Sequence, residues 1–242
     1  MWSPFFICGC PRSGTSALRN VFNNDVRFAI GMERFYYKAA KNFSLEHKLF
    51  EKERFFSLQT GDTFWNEISM YDGMKPNFEC SIYRGDKIPK LYYHFDKLFK
   101  ELPDTKVVFI VRDIVDVAAS YNARANNLND KNWSREQNFK VAVDDWNASL
   151  VSLYQYLYEK KCDVYPIFYE DFFSKTDSIE GLYKNLGIAV SKEVRNDFSS
   201  FVEKYKNLKQ NKKSDVLSEV ELDYINKNAN FKLYRWIKKH VS

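Results

Sequence analysis

Pro11-Arg-Ser-Gly-Thr-Ser16 gathers a guanidinium, a glycine and hydroxyl side chains between the apolar run Phe5-Phe-Ile-Cys8 and a segment with helical spacing. A strand, a glycine-containing turn and a helix start together aim free backbone N–H groups, and the positive end of the helix dipole, at an anion. Gly14 lets the backbone approach closely. Ser13, Thr15 and Ser16 add hydroxyl donors, and Arg12 adds a planar fork matched to phosphate or sulfate oxygens. A nucleotide-hydrolysing loop reads GxxxxGK[ST], with a lysine and a magnesium-binding hydroxyl. Here no lysine follows Gly14 and Ala17 follows Ser16, which counts against a magnesium–triphosphate substrate.

A second basic site lies in Val107-Val-Phe-Ile-Val-Arg-Asp-Ile-Val-Asp-Val-Ala-Ala-Ser-Tyr121. Arg112 ends an apolar strand, and the helix after it carries Asp116, Ser120 and Arg124 on one face. Arg112 with Ser120 offers a fork and a hydroxyl to another phosphate. Two phosphate sites at the ends of two strands fit a nucleotide with phosphates at both ends of its ribose.

With these two stretches the sequence resembles the sulfotransferase superfamily. Pro11-Arg-Ser-Gly-Thr-Ser16 looks like its 5′-phosphosulfate loop, and Arg112 with Ser120 looks like its 3′-phosphate site. The resemblance covers roughly residues 5–187. It implies 3′-phosphoadenosine 5′-phosphosulfate (PAPS) as donor, 3′-phosphoadenosine 5′-phosphate (PAP) as product, and no metal. It also implies a P-loop-like, three-layer α/β/α fold and transfer of a sulfuryl group to a hydroxyl or amine. Arg124 matches an arginine that meets the 3′-phosphate in the tyrosylprotein-type branch. Tyr169, in Phe168-Tyr-Glu-Asp-Phe172, matches a tyrosine that the family sets on the cofactor.

Sulfuryl transfer asks for in-line positioning, a base for the acceptor's proton and a partner for the charge on the leaving oxygen. Glu33, after a short apolar strand and a glycine, stands where the branches similar to this chain, such as the bacterial and tyrosylprotein enzymes, carry a glutamate base. The plainer reading pairs it with Arg34. The small-molecule branch uses a histidine instead, and of His47, His94 and His240 the alternative is His94. Arg12 and Lys87 are the leaving-group candidates. Lys87, in Gly85-Asp-Lys-Ile-Pro89, resembles a Lys-Ser/Thr-Pro element of the glycan-type branch, from which Ile88 departs.

The elements that must position these residues follow from periodicity. Short apolar runs at 5–9, 27–30, 81–83, 106–111 and 164–168 read as strands, two of them nearly continuous and so suited to a parallel sheet covered on both faces. Helical patterns fall at 15–23, 91–102, 114–124, 137–160 and 178–186, the last stopped by Gly187, and 191–240 reads as broken helix. Alternation of strand and helix gives an α/β class with a central parallel sheet and a helical C-terminal part. One domain over 1–242 is expected, with a core at about 5–187 and helices over 188–242. The polar stretches 125–135 and 206–215 read as functional loops, and Lys209, Lys212 and Lys213 as a basic lid over the cofactor.

Composition narrows the classes. The 242 residues carry a net charge of +5, which suits a small polyanion and lacks the dense clusters of a nucleic-acid binder. Cys8, Cys10, Cys80 and Cys162 form no CxxC pattern, so no zinc site is expected and all four read as reduced thiols. No run of 18 apolar residues and no signal-like start is present, so a cytoplasmic protein without an integral membrane segment is expected. The acceptor expected is a hydroxyl of a glycan, glycolipid or small molecule. Phe35, Tyr36, Tyr37, Phe64, Trp65, Tyr71 and Trp133 are divided between pocket and core, and oligomeric state is open. The competing classes are a P-loop-like kinase of a nucleoside or small molecule and a non-catalytic binder or scaffold.

Overall fold

The computed structural model describes residues 2–41, 43–64, 67–210 and 217–241. In chain order the strands and helices are β1 Ser3–Cys8, α1 Thr15–Asn23, β2 Phe28–Met32, α2 Tyr36–Ala40, α3 Lys52–Phe55, β3 Tyr83–Lys87, α4 Phe95–Glu101, β4 Lys106–Val111, α5 Ile114–Ala125, α6 Phe139–Tyr154, β5 Val164–Phe168, α7 Tyr169–Phe172, α8 Ser178–Asn185, α9 Lys192–Gln210, α10 Glu219–Asn228 and α11 Phe231–Val241. The strands form one parallel sheet in the order β2-β3-β1-β4-β5.

Side chains alternate across a strand, so each buried strand feeds two layers. Phe5 and Ile7 of β1, with Val108 and Ile110 of β4, pack on Leu18, Phe22, Leu182 and Phe198 from α1, α8 and α9. Phe6 and Cys8, with Val107 and Phe109, face the other layer, where Phe95, Val117, Trp146 and Ile237 bring in α4, α5, α6 and α11. The result is the α/β/α sandwich expected, with helices α9 to α11 as its C-terminal part.

Four expectations are corrected. The strand read at 81–83 lies at Tyr83–Lys87 and so takes in Gly85-Asp-Lys. Arg84, Asp86 and Lys87 are buried there because each has a partner: Arg84 bonds Ser81 and Glu79, the Phe35 amide donates to Asp86, and Lys87 pairs with Glu33. Hydropathy does not register such a strand. The helix read at 91–102 divides into a 3₁₀ stretch, Pro89–His94, followed by α4, because His94, at φ −127° and ψ 20°, leaves helical geometry. The long helix read at 137–160 starts at Phe139, capped by the Asn138 side chain, and ends in a π-turn over Gln155–Glu159. Residues 206–210, read as loop, continue α9, while Lys212 and Lys213 lie outside the described residues, as does the side chain of Lys209. Among the described residues no helix is long and apolar enough to cross a membrane.

Candidate active site

In an open parallel sheet, ligands bind beyond the C-terminal strand ends. Every strand here delivers one of the sequence-selected residues to that edge. Arg12 follows β1, Glu33 follows β2, Lys87 ends β3, Arg112 follows β4 and Tyr169 follows β5.

The loop after β1 turns through two left-handed residues, Arg12 at φ 70° and Gly14 at φ 96°. Gly14 tolerates this for want of a Cβ, and a Cβ there would lie 2.4 Å from the Tyr169 ring. Gly14 also precedes α1 as its cap without any capping side chain, and no acidic residue occupies the first turn. The first turn's N–H groups thus have no capping side chain, the arrangement that suits an anion. Ser13 is fully buried and its Oγ has no partner. Thr15 and Ser16 face a cavity of about 460 Å³.

Arg12 links the two basic motifs. Its Nε donates to Ser120 Oγ at 2.9 Å, and its carbonyl accepts from Arg112 at 3.2 Å. Arg112 also bonds Asp116 at 3.1 Å, lies 4.5 Å from the centre of the Tyr169 ring, and keeps a buried Nε without a partner. Glu170, beside Tyr169, accepts the Asp113 amide at 3.0 Å and so ties β5's end to the loop carrying Arg112. Loss of water around the Arg12 guanidinium lowers its pKa, and the cations Arg124 and Arg112 add to that. Burial pushes the Tyr169 hydroxyl up.

On the other side of the loop, Lys87 donates to Glu33 Oε1 at 2.5 Å. Glu33 sits at φ 53°, also left-handed, and its amide donates to the Lys87 carbonyl at 3.0 Å. The alternative pairing with Arg34 does not occur. Arg34 points inward, fully buried, and bonds Asp62 at 2.7 Å and the carbonyls of Phe55 and Ser57. His94 lies against Phe43, and His47 and His240 against Trp2 and Trp236; none of the three lines the cavity.

The cavity is lined by Arg12, Glu33 and Lys87 together with Tyr36, Phe64 and Trp133. Of the other aromatic candidates, Phe35 and Tyr71 belong to the core, Tyr37 packs beside Phe64, and Trp65 lies outside the described residues. The 125–135 stretch does reach the cavity, through Asn132 and Trp133. Arg124 stands there with a bidentate bond to Asp130, at 2.6 and 3.0 Å, and over the Trp133 ring.

Sequence reasoning missed Lys90 and Tyr121 on the cavity wall and the carboxylate behind them. Asp145 of α6 accepts from Lys90 at 2.7 Å, Tyr121 at 2.8 Å and Tyr93 at 3.3 Å. Asp145 is a buried carboxylate on the largely apolar buried face of α6.

Residues 4–192 match the Sulfotransferase family, and the chain belongs to it; it is a sulfuryl-transferring enzyme. In structure it is similar to the sulfotransferase domain from the curacin biosynthetic pathway, at 14% identity over 94% of this chain and 97% of that one, with a TM-score of 0.54. Sulfotransferase STF1 from Mycobacterium tuberculosis is 15% identical over 86% of this chain and 76% of that one, with a TM-score of 0.52. Mouse sulfotransferase SULT7A1, solved with PAP, is 16% identical over 98% and 81%, with a TM-score of 0.50. No curated protein sequence matches the chain.

Proposed function

We propose that this enzyme takes its sulfuryl group from PAPS and passes it to an acceptor hydroxyl, with Glu33 as general base. The observation that carries the reading is the single cavity in which Glu33, Lys87 and Arg12 meet. PAPS supplies an activated sulfuryl group on a phosphate leaving group. The residues fit it: the uncapped start of α1, the unpartnered Ser13 hydroxyl and the unpartnered Arg112 Nε are donors awaiting an anion. The 5′ end belongs to the loop over residues 12–16. Arg112, Ser120 and Arg124 hold the 3′-phosphate, with Tyr169 beside them.

The chain's own groups divide the chemistry. Lys87 occupies Glu33 Oε1, which leaves Oε2 for the acceptor's proton. Arg12 and Lys87 meet the negative charge that grows on the leaving oxygen. Such fixed charges lower the barrier most where water is scarce. Arg12 does this as a permanent cation and gives up no proton. Tyr36, Phe64 and Trp133 offer faces to a sugar or an aromatic ring, which supports a glycan, glycolipid or small-molecule hydroxyl as acceptor.

Thermal unfolding with PAP, and separately with ATP plus magnesium, tests the donor. A ligand that binds only the folded state raises Tm by mass action. PAP at a hundred times its Kd should stabilise by about 2.7 kcal/mol. Stabilisation by ATP–magnesium alone would overturn the reading in favour of a kinase.

A further inference from the structure

Asp86 is fully buried at the end of the sheet's polar strand, and the chemistry above gives it no task. Its Oδ2 accepts the Phe35 amide at 2.8 Å, and the Arg34 amide beside it favours the charged form of the carboxylate. These are the two amides that follow Glu33. Its Oδ1 is buried without a partner. That oxygen lies against Gly31, its cross-strand neighbour on β2, where a Cβ would stand 2.6 Å away. One carboxylate therefore anchors the turn in which Glu33 is left-handed, from the strand whose next residue is Glu33's ion partner.

We propose that Asp86 is a positioning residue for Glu33: its ionised carboxylate clamps the Phe35 amide, with the Arg34 amide beside it, and so keeps Glu33 on Lys87 and in the cavity. This rests on Glu33 being the base. The charged and titratable groups that act on Asp86 are Lys87 on its own strand, Glu33 and the Arg34 amide on the turn after β2, Tyr71 from the Ile68–Cys80 3₁₀ segment, and Arg19 from α1. Burial raises the Asp86 carboxyl to about 7, and Glu33 pushes the same way against the two amides and Lys87. A carboxylate accepts amide hydrogens more strongly than a neutral acid. The clamp is therefore tight above pH 7 and loosens below it.

Asp86→Asn keeps the shape and one acceptor oxygen but removes the charge. The first readout is Tm against pH, without substrate. An acid whose folded pKa is raised contributes its full stability below the unfolded value near 4, and that contribution is lost as pH rises to the folded value. Wild-type Tm minus variant Tm should thus fall by several degrees between pH 4.5 and 8; a flat difference overturns the titration. The second readout is PAP formed from PAPS with water as acceptor, between pH 5.5 and 9. Wild-type kcat should rise through an inflection near pH 7. The variant should lose that inflection and run about tenfold slower, with an unchanged KM for PAPS. A variant with the wild-type pH profile, or one that loses only KM, overturns the proposal. If the variant does not fold, a wild-type profile lacking the inflection does so by itself. Glu33→Gln run in parallel keeps the two readings apart: wild-type turnover there removes Glu33 as base, whatever Asp86 does.

Discussion

Arg12 and Glu33 both occupy the left-handed region, at φ 70° and 53°, although neither is glycine. Such a conformation costs on the order of 1–3 kcal/mol and persists only where the surroundings over-determine it. At Glu33 they do. Its amide bonds the Lys87 carbonyl, its carboxylate bonds the Lys87 ammonium, and the Phe35 amide two residues on bonds Asp86. The strain turns the side chain back toward the loop after β1. Glu33→Gln keeps the shape of the side chain but not its basicity. Turnover should fall by a factor on the order of 10²–10⁴, while PAP affinity measured by calorimetry stays within about twofold. Unchanged turnover would assign the proton to another group. At this scale the sequence displayed Arg12, Glu33, Lys87 and Arg112 through their neighbours in short motifs. It did not display Asp86 or Asp145, whose roles depend on partners distant in the chain.

Among the elements, β4 was legible to the residue, because a central parallel strand usually reads as a nearly continuous apolar run, and the edge strand β5 was legible through its short apolar stretch. Strand β3 was not. Its Arg84, Asp86 and Lys87 are paid for by ion pairs and hydrogen bonds that no local pattern reveals. The connection between β2 and β3 carries a similar device. Arg34 and Asp62 are both fully buried; Arg54 also bonds Asp62, and the Gln59 amide closes the set. Removing one partner of a buried pair leaves an uncompensated charge and costs about 3–5 kcal/mol. Asp62→Ala should therefore lower Tm by roughly 10 °C at pH 7. Burial pushes the Asp62 carboxyl up, but hydrogen bonds from Arg54 and Arg34 outweigh it and hold it below the ordinary value. The pair's contribution is complete above the unfolded value near 4 and is lost as pH falls through the folded one. The Tm gap between wild type and Asp62→Ala should accordingly close in acid; a gap as wide at pH 3 as at pH 7 would show that the ion pair is not its source.

Across the whole molecule the strand order β2-β3-β1-β4-β5 sorts the site. Glu33 and Lys87 come from strands on one side of β1, Arg112 and Tyr169 from strands on the other, and Arg12 stands between them. The proposed base and the proposed 3′-phosphate site are thereby separable by mutation. Arg112→Met should weaken PAP binding at least about tenfold and cancel about half or more of the PAP-induced rise in Tm, whereas Glu33→Gln should leave that rise intact. Equal losses in both variants would mean that the two halves of the sheet do not divide the work. The sequence by itself determined the α/β class and displayed the Pro11–Ser16 loop and the second basic motif, because each is written in neighbouring residues whose types and spacing act locally. Only the tertiary structure decided which carboxylates meet which cations. Glu33 met Lys87 rather than Arg34 because β2 and β3 pair in register, while Arg34 met Asp62 and Lys90 met Asp145 because the folded chain packs a loop and helix α6 against them, which distance along the chain does not fix.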